Sequence, residues 1–99
     1  MPTFVVSVRL PDALDEEFMA RIPRHRAFVN QLLAEHVMET YAVSADRGRG
    51  WMTVHAEDEA SVRALVGRLP LFEFYVDVEI DELFIFDSSS VRFPAISPN

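Results

Sequence analysis

Three side chains of this 99-residue sequence are suited to moving a proton: His25, His55 and Tyr41. A neutral imidazole, with an ordinary pKa near 6.5, can take a proton from carbon beside a carbonyl at neutral pH. His25 shares a spacing with Phe18, Ile22 and Val29. At about 100° per residue, it falls about 20° from Phe18 and about 40° from Val29, in the middle of an apolar stripe. It therefore points at whatever the helix packs on, as a hydrogen-bonded core histidine or as a proton shuttle. Four more residues suit ligand binding: Arg9, Ser7, Trp51 and Arg26. Arginine presents a planar donor fork that matches a carboxylate. The competing role for Arg9 is an ion pair with Asp77 or Glu79, and for Arg26 a solvated helix surface. His55 is either a partner acid or a hydrogen-bonded interface residue.

Elements must place these residues. Thr3 to Leu10 alternates apolar and mixed positions, the period of a strand, and Pro11 ends it. Asp12 to Glu35 reads as a helix, started by Asp12 or Asp15, with Pro23 predicting a kink or split near residues 22–23. Val37 to Ala45 and Trp51 to Glu57 read as a hairpin, whose turn holds Gly48 and Gly50 for positive φ. Asp58 caps a short helix that Pro70 stops, and Tyr75 to Phe86 is the last strand.

The order is β-α-β-β-α-β, a ferredoxin-like α+β unit with both helices on one sheet face. Strict alternation assigns Val5, Ser7, Arg9, Glu39, Tyr41, Val43, Trp51, Thr53, His55, Asp77, Glu79 and Asp81 to the other face. A second sheet packed there gives an isologous dimer and encloses a polar cavity. Residues 1–87 are expected to form the single domain, and 88–99 a tail or oligomerisation arm carrying Val91, Phe93 and Ile96. Five of the eight Phe follow residue 70, which also suggests subunit contact.

Composition excludes several chemistries. Cys is 0 and all nine basic residues are Arg, so thiolate, Schiff-base and P-loop lysine chemistry are out. The net charge of −7 is concentrated after residue 57, which disfavours nucleic acid. With no long apolar run and no signal-peptide pattern, the expectation is a cytoplasmic protein without membrane contact. Asp77, Glu79 and Asp81 beside His55 lack metal-loop spacing, so no metal is expected.

Leu69-Pro70-Leu71-Phe72, followed by Val76-Asp77-Val78-Glu79-Ile80-Asp81-Glu82-Leu83, resembles the end of the muconolactone Δ-isomerase family. Leu10-Pro11 before an acidic helix start and Ser88-Ser89-Ser90 are similar too. The resemblance implies a dimeric α+β barrel, dimers or larger rings, and a 1,3-proton shift on a small unsaturated lactone without metal or organic cofactor. His25 takes the position of that family's proton-transfer carboxylate. Ala42, Val43, Arg47 and Gly48 stand where the family has other polar and aromatic residues. The expectation is a cofactor-independent isomerase of a small carboxylated lactone or enolisable acid. In it, His25 is the base, Arg9 holds the carboxylate, and His55 or Tyr41 stabilises enolate charge. The alternative is a non-catalytic ligand-binding or structural oligomer on the same scaffold.

Overall fold

The structure, a computed structural model, describes residues 1–89. The expected tail contacts of Val91, Phe93 and Ile96 lie outside the described residues. Strand β1 (Thr3–Arg9) buries Phe4, Val6 and Val8 on one face and leaves Val5, Ser7 and Arg9 on the other. It is central, paired antiparallel with β3 (Arg49–His55) and β4 (Asp77–Glu82). Strand β2 (Met38–Val43) pairs with β3, giving the order β2-β3-β1-β4. Helices α1 (Glu16–Ala34) and α2 (Glu59–Gly67) complete a ferredoxin-like α+β fold. Strand β4 is shorter than the apolar run suggests: Phe72–Phe74 forms a 3-10 turn, and the chain leaves the sheet after Glu82.

Helix α1 starts at Asp15, whose carboxylate accepts the Phe18 N–H at 2.9 Å. Glu16 and Glu17 complement the positive end of its dipole. The predicted split at Pro23 does not occur, and the helix runs unbroken from Glu16 to Ala34. Pro23 lies on the exposed face, where water can take the carbonyl that its missing N–H leaves free. Phe18, His25, Val29 and Leu32 meanwhile hold the other face in the core.

The C-terminus of α1 closes in a Schellman arrangement. The Val37 N–H donates to the Leu32 carbonyl at 3.0 Å and the His36 N–H to the Leu33 carbonyl at 3.2 Å. This puts His36 in the left-handed region, at φ 59°. The hairpin holds the other such residue among those described, Arg47 at φ 62°, and neither Gly48 nor Gly50 has positive φ. The predicted use of the glycines is thus corrected. Asp46 accepts the Gly48 N–H at 2.8 Å and the Ser44 hydroxyl at 2.7 Å, fixing the turn around Arg47.

Strand β2 departs from strict alternation. Met38 pairs with Val54, yet Thr40 pairs with Thr53 and Tyr41 with Met52. Two β2 residues therefore stand opposite one β3 step, a β-bulge with Glu39 as the extra residue. Side-chain direction has period 2, so the bulge reverses the face of all that follows. Tyr41 and Val43 face the helices, while Thr40 and Ala42 join the open face, which corrects the sequence assignment.

The core has two parts. Phe4, Val6, Val29, Met52, Val54, Val62 and Val66 belong to the larger, and Leu10, Phe18 and Leu71 to the smaller. No helix among the described residues is long and apolar enough to cross a membrane. A β-carbon at φ 59° carries a steric cost that glycine avoids. His36→Gly should therefore stabilise the fold by about 1 kcal/mol, read as a rise of roughly 4–8 °C in thermal midpoint.

Candidate active site

A cavity of about 220 Å³ lies between α1 and the helix-facing side of the sheet, where the two parts of the core meet. Val8 and Met52 bound it from the larger part, and Leu10, Phe18 and Leu71 from the smaller. Gly50 gives it room. A β-carbon there would sit 3.2 Å from Val8 Cγ2 and 3.4 Å from the Ala42 carbonyl oxygen.

His25 and Tyr41 form the polar centre of this apolar space. His25 Nε2 lies 3.0 Å from the Tyr41 hydroxyl. The helix stripe brings the first residue and the β2 bulge brings the second. His25 is only 1% exposed, although it lines the cavity together with Tyr41. Burial, reinforced by the nearby positive charge of Arg26, lowers the His25 pKa to about 4. The sequence-based assumption of an ordinary value near 6.5 is therefore corrected. His25 Nδ1 is buried without a hydrogen-bond partner among the described residues. Such an orphaned group costs about 1–3 kcal/mol.

Burial raises the pKa of Tyr41, against a smaller lowering effect of Arg26. Tyr75 also lines the cavity, and its phenol is pushed well up by burial, with Tyr41 adding to the shift. Both are neutral donors at ordinary pH. At the rim, the Arg26 guanidinium lies 5.4 Å from the Tyr41 ring centroid and donates to Asn30 at 3.2 Å. Arg47 lines the same cavity from the hairpin. Among the described residues, neither arginine has a carboxylate ion-pair partner.

The structure divides the residues singled out from the sequence between two faces of the sheet. His25, Tyr41 and Arg26 share the cavity. Ser7, Arg9, Trp51 and His55 stand on the open face, so Arg9 and His55 do not meet a molecule held beside Tyr41. Ser7 faces Glu79 and Arg9 faces Asp77 in the register, but no ion pair forms between Arg9 and either acid among the described residues. His55 is tied into the open face: its Nδ1 lies 2.9 Å from the Thr3 hydroxyl and its Nε2 3.2 Å from the Glu39 carboxylate. No group of three His, Asp or Glu among the described residues has the arrangement of a metal site.

Arg47 and Tyr75 are cavity residues that sequence reasoning passed over. Arg47 read as turn filler and Tyr75 as the start of a strand. The usable signals were an arginine in a turn facing the start of α1, and a lone tyrosine among the phenylalanines that follow Pro70.

The electrostatics of His25 give a pH expectation. Its folded pKa of about 4 lies below the ordinary 6.5, so between these values the unfolded chain binds more protons. Stability should be complete above pH 6.5 and fall as pH drops toward 4, by on the order of 3 kcal/mol from this group. Denaturant melts at pH 7, 5.5 and 4.5, compared between wild type and His25→Leu, isolate the contribution. Imidazole NMR should show a neutral ring down to at least pH 5.5.

No protein-family model matches this chain, and no curated protein matches it in sequence. Solved structures do. The chain is similar to 5-chloro-2-hydroxyhydroquinone dehydrochlorinase from Burkholderia phenoliruptrix AC1100, solved in complex with 2,5-dihydroxybenzoquinone. The TM-score is 0.66 at 12% identity, over 80% of this chain and 90% of that one. It is also similar to MtbAldR, with a TM-score of 0.57 at 17% identity, over 91% of this chain and 57% of that protein. At these identities the likeness establishes the architecture: this chain is an α+β protein of ferredoxin-like fold.

Proposed function

We propose that this chain is a cofactor-independent isomerase of the muconolactone-isomerase type, shifting a proton on a small carboxylated lactone or a related enolisable acid. The observation that carries this reading is the buried, neutral His25 hydrogen-bonded to Tyr41 inside an apolar cavity. The solved dehydrochlorinase, complexed with a small cyclic dione, supports small-molecule chemistry on this scaffold.

The proposed chemistry follows the hydrogen bond. In one tautomer the Tyr41 hydroxyl donates to His25 Nε2. As a carbon next to the substrate carbonyl loses its proton to the Tyr41 oxygen, the Tyr41 hydroxyl proton passes to His25. The reverse transfer delivers a proton to the carbon two atoms along, so the double bond moves and nothing is consumed. The Tyr75 hydroxyl, without a hydrogen-bond partner among the described residues, is the donor available to the enolate oxygen. Arg26 and Arg47 take the substrate carboxylate at the rim, in place of Arg9. A base with a pKa of about 4 suits only a C–H bond already acidified by a carbonyl and conjugation.

The second reading is ligand binding without turnover. The placement of Arg9 and His55 on the far face favours it, because the cavity then holds one weak base rather than an acid–base pair. Kinetics separate the two. On an enolisable carboxylated lactone, His25→Ala and Tyr41→Phe should each lose roughly 10²–10⁴-fold in kcat. Arg47→Gln should mainly raise KM. The wild-type rate should stay level from pH 8 to 5.5 and fall as pH approaches 4, where His25 gains its proton. Binding of the lactone by calorimetry without turnover, weakened by Arg47→Gln, would favour the binding module.

The same proposal includes a homo-oligomer, a dimer or a larger ring. The open sheet face exposes Trp51, and beyond β4 Phe84 and Ile85 are 96% and 61% exposed. Light scattering coupled to gel filtration should give at least a dimer at micromolar concentration. A clean monomer would remove this part of the reading.

A further inference from the structure

Tyr41 reaches the cavity only because strand β2 carries one extra residue. Without a bulge, pairing from Met38↔Val54 would run Glu39↔Thr53, Thr40↔Met52 and Tyr41↔Trp51. Trp51 is on the open face, so the Tyr41 hydroxyl would be on the wrong side of the sheet from His25. The observed register, Thr40↔Thr53 and Tyr41↔Met52, depends on Glu39 being accommodated as the bulge.

The bulge residue is held by a chain of side chains on the open face. The Glu39 side chain is 8% exposed, although a carboxylate on a strand facing solvent is ordinarily hydrated. It accepts from His55 Nε2 at 3.2 Å, and His55 Nδ1 in turn accepts the Thr3 hydroxyl at 2.9 Å. One tautomer, with the proton on Nε2, satisfies both bonds. The chain spans three adjacent strands, β2, β3 and β1. It is bracketed by two further bonds, from the His55 N–H to the Val37 carbonyl at 2.9 Å and between the Thr40 and Thr53 hydroxyls at 2.7 Å. The order hydroxyl, imidazole, carboxylate is also that of a nucleophile with its base. The cavity described above is not lined by Thr3, so these three residues lie apart from it.

We infer that Thr3, His55 and Glu39 are positioning residues. By pinning the bulge on one face of the sheet, they hold the Tyr41 hydroxyl on His25 at the other. The inference rests on the reading of His25 and Tyr41 as the working pair, but the register it concerns is measured without substrate. Loss of the pin releases β2 to slip by one residue or fluctuate, and Tyr41 leaves the imidazole. Deleting Glu39 removes the need for a pin: uninterrupted pairing from Met38↔Val54 then gives Thr40↔Thr53 and Tyr41↔Met52 directly.

The test uses the full chain, ligand-free, and reads the ¹⁵N signals of the His25 ring, with Tyr41→Phe defining the value when the bond is absent. Glu39→Leu and His55→Phe should each move the Nε2 signal at least halfway to that value. Glu39→Gln keeps an oxygen acceptor for His55 and should retain the wild-type signal. Deletion of Glu39 combined with His55→Phe should restore it. Wild-type signals in both single variants would overturn the inference, as would a loss that the deletion does not reverse. If a single variant fails to fold, the combined variant decides: a folded spectrum with the wild-type His25 signal supports the inference, and any other result overturns it. Absence of turnover on every lactone would defeat the proposed isomerase and leave this result standing.

Discussion

Desolvation of one imidazole organises this molecule. His25 has been taken from water and given, among the described residues, a single side-chain hydrogen bond, to Tyr41, while a guanidinium stands nearby. Placing a positive charge there would be expensive, so the ring stays neutral where an exposed histidine would be partly protonated. The basicity that results is close to that of an ordinary carboxylate. The chain achieves this basicity without burying a negative charge. The cost is borne by the fold, through an unpartnered Nδ1 and a core divided by a cavity.

That division also explains how charge is distributed. Around the cavity, the helix-facing side of the sheet is apolar except for His25, two phenols and the arginines at the rim. The other side carries Arg9, His55 and, from β4, Asp77, Glu79 and Asp81, while Glu82 falls on the helix-facing side opposite Phe4. A sheet is one backbone thick, so residues adjacent in register can belong to chemically separate worlds. Ser7 and Val8 are sequence neighbours whose side chains stand on opposite faces. Residue types capable of catalysis were therefore easy to find, but their membership of one site depended on strand parity.

The fold was legible because its signals are local and repeated. Alternation marked β1, acidic caps marked both helices at Asp15 and Asp58, and the Phe18–Val29 stripe placed His25. Tyr41 is misplaced by strict alternation for a physical reason: Glu39 and Thr40 are two polar residues in succession, and the extra residue between Met38 and Thr40 shifts the parity of all that follows. The stabilising partners of the bulge, Thr3 and His55, lie 52 residues apart in sequence. Pro23 misled in the opposite direction. Its local preference against helix is real, but packing on the buried face outweighed it. The left-handed turn at Arg47 likewise could not be read with two glycines nearby, because the Asp46 and Ser44 side chains, not backbone freedom, define that loop.

Among the described residues, the two outer strands of the sheet, β2 and β4, each have an edge with no neighbouring strand, where another chain could pair. They are protected differently. The bulge gives β2 an irregular ladder that an incoming straight strand cannot match. Strand β4 is regular, and relies on Asp77, Glu79, Asp81 and Glu82 to repel a second copy of itself. Exchanging those carboxylates for amides would therefore open β4 to strand-to-strand polymerisation, even in molecules whose core remained folded.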